Sequence, residues 1–242
     1  MATRRAFPRV PGLRVIERPG WLQIITPQIK TGGLNEVIFS ALDERDADAT
    51  IDATIAEYRD LGLLFRWSVG PGSAPADLGE RLSRRGLVAS FGRGMARSTA
   101  GDERRDDAAV RVTLVDAATV DEFTRVMASG WKLDHGPLAA IHASALTESP
   151  GRQPMFLAWL DDVPAASASY VALARSAYLV GAVVLESARG RGLYRALVHA
   201  RLSHAGARGI ELATCHARET SSAPMLEHMG FETVCRFPMY FG

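Results

Sequence analysis

The clearest chemical signal in the sequence is a basic, glycine-containing turn that follows an apolar run. The run at 178–185 carries no charged side chain, the turn at 189–192 reads R-G-R-G, and apolar residues recur at helical spacing over 194–205. This order predicts a buried strand, a tight turn and a helix. Glycines let backbone N–H groups and the positive end of a helix approach an anion closely. We therefore predict that the turn binds phosphate oxygens.

Two common phosphate motifs do not fit this turn. A dinucleotide fingerprint, G-x-G-x-x-G, would need a glycine where Arg195 stands, and the P-loop pattern G-x-x-x-x-G-K-S/T occurs nowhere. The pattern that remains is Q/R-x-x-G-x-G/A, which Arg189 and Gly192 meet, with Tyr194 in its last place. Together with its strand and helix, this turn resembles motif A of the GNAT superfamily of acyl-CoA-dependent N-acetyltransferases.

The resemblance covers residues 110–242 and implies an α+β fold in which helices flank a mixed sheet. The implied order is strand, two helices, hairpin, strand, loop, helix, strand, helix and a last hairpin, entered at the turn 229–231. Acetyl-CoA is the implied co-substrate. The positions implied to bind it are Val183, Val184, Leu185, Arg189, Gly190, Arg191, Gly192, Leu193 and Tyr194. Backbone N–H groups at 183–185 are implied to stabilise the oxyanion of the tetrahedral intermediate.

Two positions depart from the family pattern. Tyr194 stands where the family has a small residue, so either a backbone amide reaches the cofactor past a bulky ring or the ring turns into the helix core. In this family the short helix, predicted here at 222–229, often carries a tyrosine that protonates the departing thiolate. That position is Leu226 in this chain, so the usual general acid is missing.

Two side chains are candidates for the base that deprotonates the amine. Glu186 closes the apolar strand, and His216 follows the next predicted strand, where the acyl group and the amine are implied to meet. An imidazole with a pKa of about 6.5 suits a base near neutral pH. The alternative for each is a polar or charged residue at a strand end without a catalytic role. The segment 131–135 is implied to line the acceptor pocket, with a surface loop as the alternative.

A polar, charged stretch at 98–109 predicts a linker between two parts, 1–108 and 109–242. The second part is the predicted N-acetyltransferase domain. The dipeptides at 74–75 and 223–224 both read A-P, and each precedes a predicted short helix and an apolar strand. We interpret the first part as a degenerate GNAT-like domain without a cofactor loop. An unrelated accessory domain is the alternative interpretation.

The composition excludes several classes of protein. A net charge of +1 with 23% charged residues argues against a nucleic-acid binder that relies on a broad basic field. Two cysteines, Cys215 and Cys235, cannot make a disulfide framework or a four-ligand zinc site, so no metal is predicted. The uncharged run at 176–185 is shorter than the roughly 20 residues that a bilayer requires. No secretory signal follows the basic N-terminus, and the cytoplasm is the expected compartment.

The predicted function is therefore transfer of an acetyl group from acetyl-CoA to a primary amine by direct attack in a ternary complex. The acceptor is an amine of a small molecule or of a peptide, and both a monomer and a homodimer stay open. The alternative is a non-catalytic acyl-CoA-binding sensor or regulatory module, which the residue at position 226 motivates.

Overall fold

The structure is a computed structural model and describes residues 12–30, 34–101, 110–148 and 151–242. The strands are β1 (Arg14–Arg18), β2 (Trp21–Ile25), β3 (Glu36–Ser40), β4 (Arg66–Ser68), β5 (Val88–Ser98), β6 (Val110–Leu114), β7 (Met155–Leu160), β8 (Val163–Ala172), β9 (Ala177–Val184), β10 (Leu212–Arg218) and β11 (Glu232–Phe241). The helices are α1 (Ala47–Asp60), α2 (Leu78–Arg84), α3 (Val120–Trp131), α4 (His135–Glu148), α5 (Leu193–Ala207) and α6 (Ser222–Glu227).

The chain forms two compact units that are not simply its two halves. The first unit contains the described residues up to Met95 together with Ala217–Gly242, and the second contains the described residues of Ala96–His216. The predicted linker at 98–109 begins at the last residue of β5, and its residues 102–109 lie outside the described part. The division into 1–108 and 109–242 stays a prediction. Residues 217–242 pack with the first unit although they follow that boundary in sequence.

In the first unit the strands follow the order β1, β2, β3, β4, β11, β5. Strands β3 and β4 are parallel and are joined by α1, whose predicted apolar face is confirmed because Ile51, Ile55 and Tyr58 are buried. This face packs into a core that also contains Trp21 and Trp67, whose rings meet edge to face with centroids 5.5 Å apart. Burial of these large apolar side chains is the main stabilising contribution in this unit.

The hairpin predicted after Phe231 is wrong. A single strand of ten residues, β11, follows instead and pairs antiparallel with β4, with Tyr240 opposite Trp67. The sequence of β11 contains no glycine and therefore offers no site for a tight hairpin turn. Its other neighbour is β5, which precedes it by more than 130 residues in the chain, so a strand distant in sequence takes the place of the missing hairpin partner.

In the second unit the order from one side is β6, β7, β8, β9, β10. The pairs from β6 to β9 are antiparallel, and β9 and β10 are parallel, joined by α5. Helix α3 packs on β8 and β9, and α5 packs on β7, β8 and β9. Buried side chains of α3, among them Phe123 and Met127, form a core with Leu157 of β7. The predicted mixed sheet with flanking helices is confirmed.

The two units share one local arrangement, a pair of parallel strands connected by a helix. The connection from β3 to α1 carries Asp43, Glu44 and Asp46, whereas the connection from β9 to α5 carries Arg189 and Arg191. An acidic turn repels phosphate, and a basic turn attracts it. Within the described residues, none of the helices is both long and apolar enough to cross a membrane.

Candidate functional site

The turn at 189–192 leads directly into the N-terminus of α5. Gly190 and Gly192 have φ angles of 77° and 78°, a left-handed conformation that favours glycine. A β-carbon built on either glycine would meet nothing within 4 Å, so the turn leaves open space beside its backbone. The first helical bond runs from the N–H of Ala196 to the carbonyl of Gly192, 3.0 Å away. The N–H groups of the preceding first-turn residues have no acceptor within the helix.

Charge at this turn complements that geometry. Arg189 is exposed, and its Nη1 lies 3.9 Å from the Glu186 carboxylate, while Arg191 is also exposed. Two guanidinium groups and the partial positive charge of a helix N-terminus favour a bound anion. The donors present, namely backbone N–H groups and arginines, are those that phosphates prefer in proteins. The turn therefore fits the pyrophosphate of coenzyme A.

Strand β9 separates from β10 before it reaches this turn. The recorded parallel pairs run from Ala177 with Ala213 to Leu179 with Cys215, and β9 continues to Val184 beyond the last of them. We call the region beyond the Leu179–Cys215 pair the splay. A strand that loses its neighbour leaves backbone donors and acceptors available to a ligand.

A β-bulge lies in β9 at the start of the splay. Ser169 of β8 pairs with Val180, the next recorded pair joins Ser167 to Val183, and Gly181 has a φ of 62°. Two residues of β9 therefore face one residue of β8. The extra residue changes which side chains of β9 point toward α3.

Beyond the bulge, the Val183 side chain points toward α3 and packs on the core formed there. The N–H of Leu185 donates to the carbonyl of Ala165 at 2.9 Å, so this amide is already used within the sheet. Since N–H groups alternate between the two edges of a strand, the N–H of Val184 points away from β8, toward the splay. Of the three predicted oxyanion donors, Val184 is the one with the suitable direction.

The two predicted base candidates are not brought together. His216 lies on β10 directly after the Leu179–Cys215 pair, and its exposed ring meets the ring of Tyr178 edge to face, with centroids 5.4 Å apart. Glu186 begins a 3₁₀ turn after the far end of β9, and its side chain is 90% exposed. Strand rise places the two ends of β9 roughly 20 Å apart. His216 thus stands at the closed end of the splay, and Glu186 has the surroundings of a solvated surface carboxylate.

Tyr194 follows the second of its two predicted courses. Its ring is half-buried and turns toward the core side of α5, where burial raises its pKa and where Arg201 and Cys215 are its titratable neighbours. The backbone amides of the turn are consequently accessible in spite of the bulky side chain. Burial also raises the pKa of the Cys215 thiol to about 11, so this cysteine is not activated as a nucleophile.

Arg201 is a feature of this region that sequence reasoning missed. It is the largest charged side chain among the fully buried residues, at 2% exposure. A signal for it exists, because position 201 follows Leu197 by four residues and so lies on the apolar face of α5. Gly181 was missed as well, since a glycine inside an apolar strand indicates a bulge.

The segment predicted to line an acceptor pocket ends α3 and begins α4. Trp131 is 38% exposed, Lys132 has a left-handed φ of 55°, and Nε2 of His135 lies 2.9 Å from the Asp121 carboxylate. Position 226, where the family's tyrosine is missing, lies on α6 in the first unit. The Leu226 side chain is 3% exposed, so it is a core residue there.

Comparison with known proteins agrees with this geometry. The family model described as Acetyltransferase (GNAT) family matches residues 119–231. A GCN5-related N-acetyltransferase from Kribbella flavida is similar in structure, with a TM-score of 0.67 and 16% identity over 96% of this chain and 90% of that chain. A conserved protein of unknown function from Staphylococcus epidermidis has a TM-score of 0.66 and 13% identity over 96% and 94% of the two chains. No curated protein matches the sequence.

A third similar structure concerns both parts of the chain. It is described as a tandem GNAT protein from the clavulanic acid biosynthesis pathway, with a TM-score of 0.63 and 14% identity over 97% of this chain and 84% of that chain. At such identities the likeness establishes the fold alone. The fold of the chain therefore fits a two-part GNAT arrangement, and the resemblance of the sequence to this superfamily is confirmed.

Proposed function

We propose, from the premise that residues 119–231 belong to the acetyltransferase (GNAT) family, that the protein transfers the acetyl group of acetyl-CoA to a primary amine. The observation that carries this proposal is the succession of the open splay, the glycines of the turn and the N-terminus of α5. An extended ligand with a pyrophosphate at one end and a reactive thioester at the other suits this succession. Transfer takes place by direct attack within a ternary complex.

The residues proposed to hold coenzyme A form one continuous segment. Backbone N–H groups from Gly190 to Tyr194 bind the pyrophosphate, and Arg189 and Arg191 add positive charge. The pantetheine arm then follows the free edge of β9 along 183–185. With the phosphates held at the turn, the thioester reaches toward the closed end of the splay.

The proposed chemistry requires one base, one oxyanion donor and one proton. The amine nitrogen attacks the thioester carbonyl carbon while the N–H of Val184 stabilises the developing oxyanion. The C–S bond then breaks, the amine nitrogen loses a proton, and coenzyme A leaves as a thiolate that is subsequently protonated. His216 is the first candidate for the base because it lies at the closed end of the splay, and Glu186 is the second.

One observation favours the alternative function, an acyl-CoA-binding sensor without catalysis. Leu226 is apolar and buried where related enzymes carry the tyrosine that protonates the thiolate. A thiol with a pKa of about 8.5 is nevertheless a tolerable leaving group near neutral pH. Loss of the acid therefore slows acetyl transfer without preventing it, and we retain the enzyme as the better-supported function.

The cytoplasm is the proposed compartment. Cys215 and Cys235 are both free, as expected of a chain in a reducing environment. The proposed acceptor is an amine of a small molecule or of a peptide. Neither nucleic acid nor membrane is a proposed partner, and the oligomeric state, monomer or homodimer, is to be measured together with the activity.

A turnover assay with a panel of small-molecule and peptide amines tests the proposal. Free thiol released from acetyl-CoA only when an acceptor is present supports the enzyme. Tight binding of acetyl-CoA without thiol release from any acceptor supports the sensor. Calorimetry on the same sample should give one acetyl-CoA per chain, since the corresponding turn of the first unit is acidic. A chain that does not bind acetyl-CoA contradicts both functions.

A further inference from the structure

Arg201 is a buried cation without an acidic partner. Its side chain is 2% exposed, and burial lowers its pKa to about 10. Its Nε donates to the carbonyl of Leu197 at 2.9 Å, and its Nη1 donates to the carbonyl of Ser169 at 3.3 Å. Within the described residues, no carboxylate lies at ion-pair distance from this guanidinium. A buried charge satisfied by neutral groups alone is costly, so stability by itself does not account for an arginine here.

The carbonyl that Arg201 binds belongs to the bulge of β8 and β9. Ser169 and Val180 form the last regular pair before the bulge, and the next recorded pair joins Ser167 to Val183. A bulge disrupts the ladder and leaves backbone groups without their usual partners. The guanidinium of Arg201 therefore binds a β8 carbonyl at the position where the strand pairing becomes irregular.

The opposite face of the bulge is fixed by α3. A β-carbon on Gly181 would lie 3.2 Å from Cε of Met127, and one on Gly130 would lie 2.1 Å from Cγ2 of Val183. The bulge is thus held between α3 on one face and the Arg201 side chain of α5 on the other. Its geometry determines where the backbone of Val184 points.

We propose that Arg201 is a positioning residue that holds the bulge so that the N–H of Val184 points into the splay. Arg201 itself touches neither substrate nor reacting atoms. It acts through Ser169 and β9, at a distance from the turn that binds phosphate. The inference rests on the proposed function, because the ligand along β9 is taken to be the pantetheine arm of acetyl-CoA.

The test separates the two ends of the ligand. Arg201→Met keeps much of the apolar volume and removes both donated bonds, and Arg111→Met on the exposed strand β6 is the matched control. Affinities for acetyl-CoA and for its fragment 3′-phosphoadenosine 5′-diphosphate are measured by calorimetry well below the melting temperature. We expect Arg201→Met to bind acetyl-CoA about tenfold more weakly, the loss typical of a bond to a charged donor. Its affinity for the fragment, which contacts the turn alone, should stay within twofold of the parent value.

The possible results discriminate between explanations. Equal losses for both ligands mean that Arg201 acts through its charge on the phosphate site, and this overturns the inference. Unchanged affinity for both ligands, with only a lower melting temperature, also overturns it. If Arg201→Met does not fold, Arg201→Lys keeps the charge but not the two-pronged geometry, and the same selective loss is expected. A parent chain that binds neither ligand overturns the proposed function, whereas binding of both without selective loss in the variants overturns this inference alone.

Discussion

Gly130 of α3 lies so close to Val183 of β9 that a β-carbon at Gly130 would stand 2.1 Å from Val183 Cγ2. No real pair of carbon atoms approaches to this distance, so only glycine permits the observed packing. The relationship joins a helix to the strand segment proposed to bind the pantetheine arm. A change in either residue therefore moves both the core of the second unit and the proposed ligand edge.

Gly130→Ala should force α3 and β9 apart. We expect a loss of about 1–3 kcal/mol in the free energy of unfolding, as is typical of overpacking, together with weaker binding of acetyl-CoA. Chemical denaturation and calorimetry measure the two effects. Gly136→Ala in α4 is the control, since a β-carbon there would meet nothing within 4 Å. The double variant Gly130→Ala with Val183→Ala should recover part of the lost stability, and strictly additive losses would contradict the packing explanation.

Replacing Gly192 by valine should abolish acetyl-CoA binding, because the side chain would enter the space beside the turn. Gly209→Val, beyond the other end of α5, is closely matched, since the two φ angles are 78° and 74° and neither site has an atom within 4 Å of the added β-carbon. Both variants carry a similar left-handed strain of about 1–2 kcal/mol. Acetyl-CoA should raise the melting temperature of Gly209→Val and not that of Gly192→Val. The phosphate assignment fails if both folded variants are stabilised alike.

His216→Ala should lower turnover on a good acceptor by about 100-fold, as expected for loss of a general base. Glu186→Gln should stay close to the parent rate, because the Glu186 side chain is 90% exposed at the far end of β9. Neither change should alter the affinity for acetyl-CoA more than twofold, which calorimetry checks. A large loss in Glu186→Gln alone would exchange the roles of the two residues. Full turnover of both variants between pH 6 and 9 would mean that neither is the base.

The stability of the chain should fall on acidification because of His142 in α4. This side chain is buried against Thr124, with Nδ1 2.8 Å from Oγ1, and burial lowers its pKa to about 4 from its usual value of 6.5. The unfolded chain therefore binds a proton between pH 6.5 and 4 that the folded chain does not bind. Stability is complete above pH 6.5 and decreases toward pH 4 by about 3 kcal/mol from this residue.

His142→Leu should remove this part of the pH dependence, whereas His228→Leu at an exposed position should retain it. Denaturation curves recorded from pH 4 to 7 provide the comparison. Stability that is as steep in His142→Leu as in the parent would show that other groups, such as His135, cause the acid sensitivity.

Much of the local structure could be predicted because its signals lie within short windows of sequence. The strand at 21–25 and the buried face of α1 follow from the spacing of apolar residues alone. Element boundaries were less accurate. The helix predicted from Asp116 begins only at Val120, because the Asp116 carboxylate accepts N–H bonds from Ala118 and Thr119 and holds these residues in a turn.

The sequence by itself determined the phosphate turn, since the R-G-R-G spacing, the preceding apolar run and the following helix are all contiguous. Only the tertiary structure decided which strand accompanies β11, because β4 and β5 are distant in sequence and strand pairing depends on long-range contacts. It likewise decided that Arg201 is buried at a bulge and that Glu186 and His216 lie at opposite ends of β9. The reason is physical: spacing along a chain fixes local conformation, whereas the surroundings of a side chain depend on which distant segments pack against it.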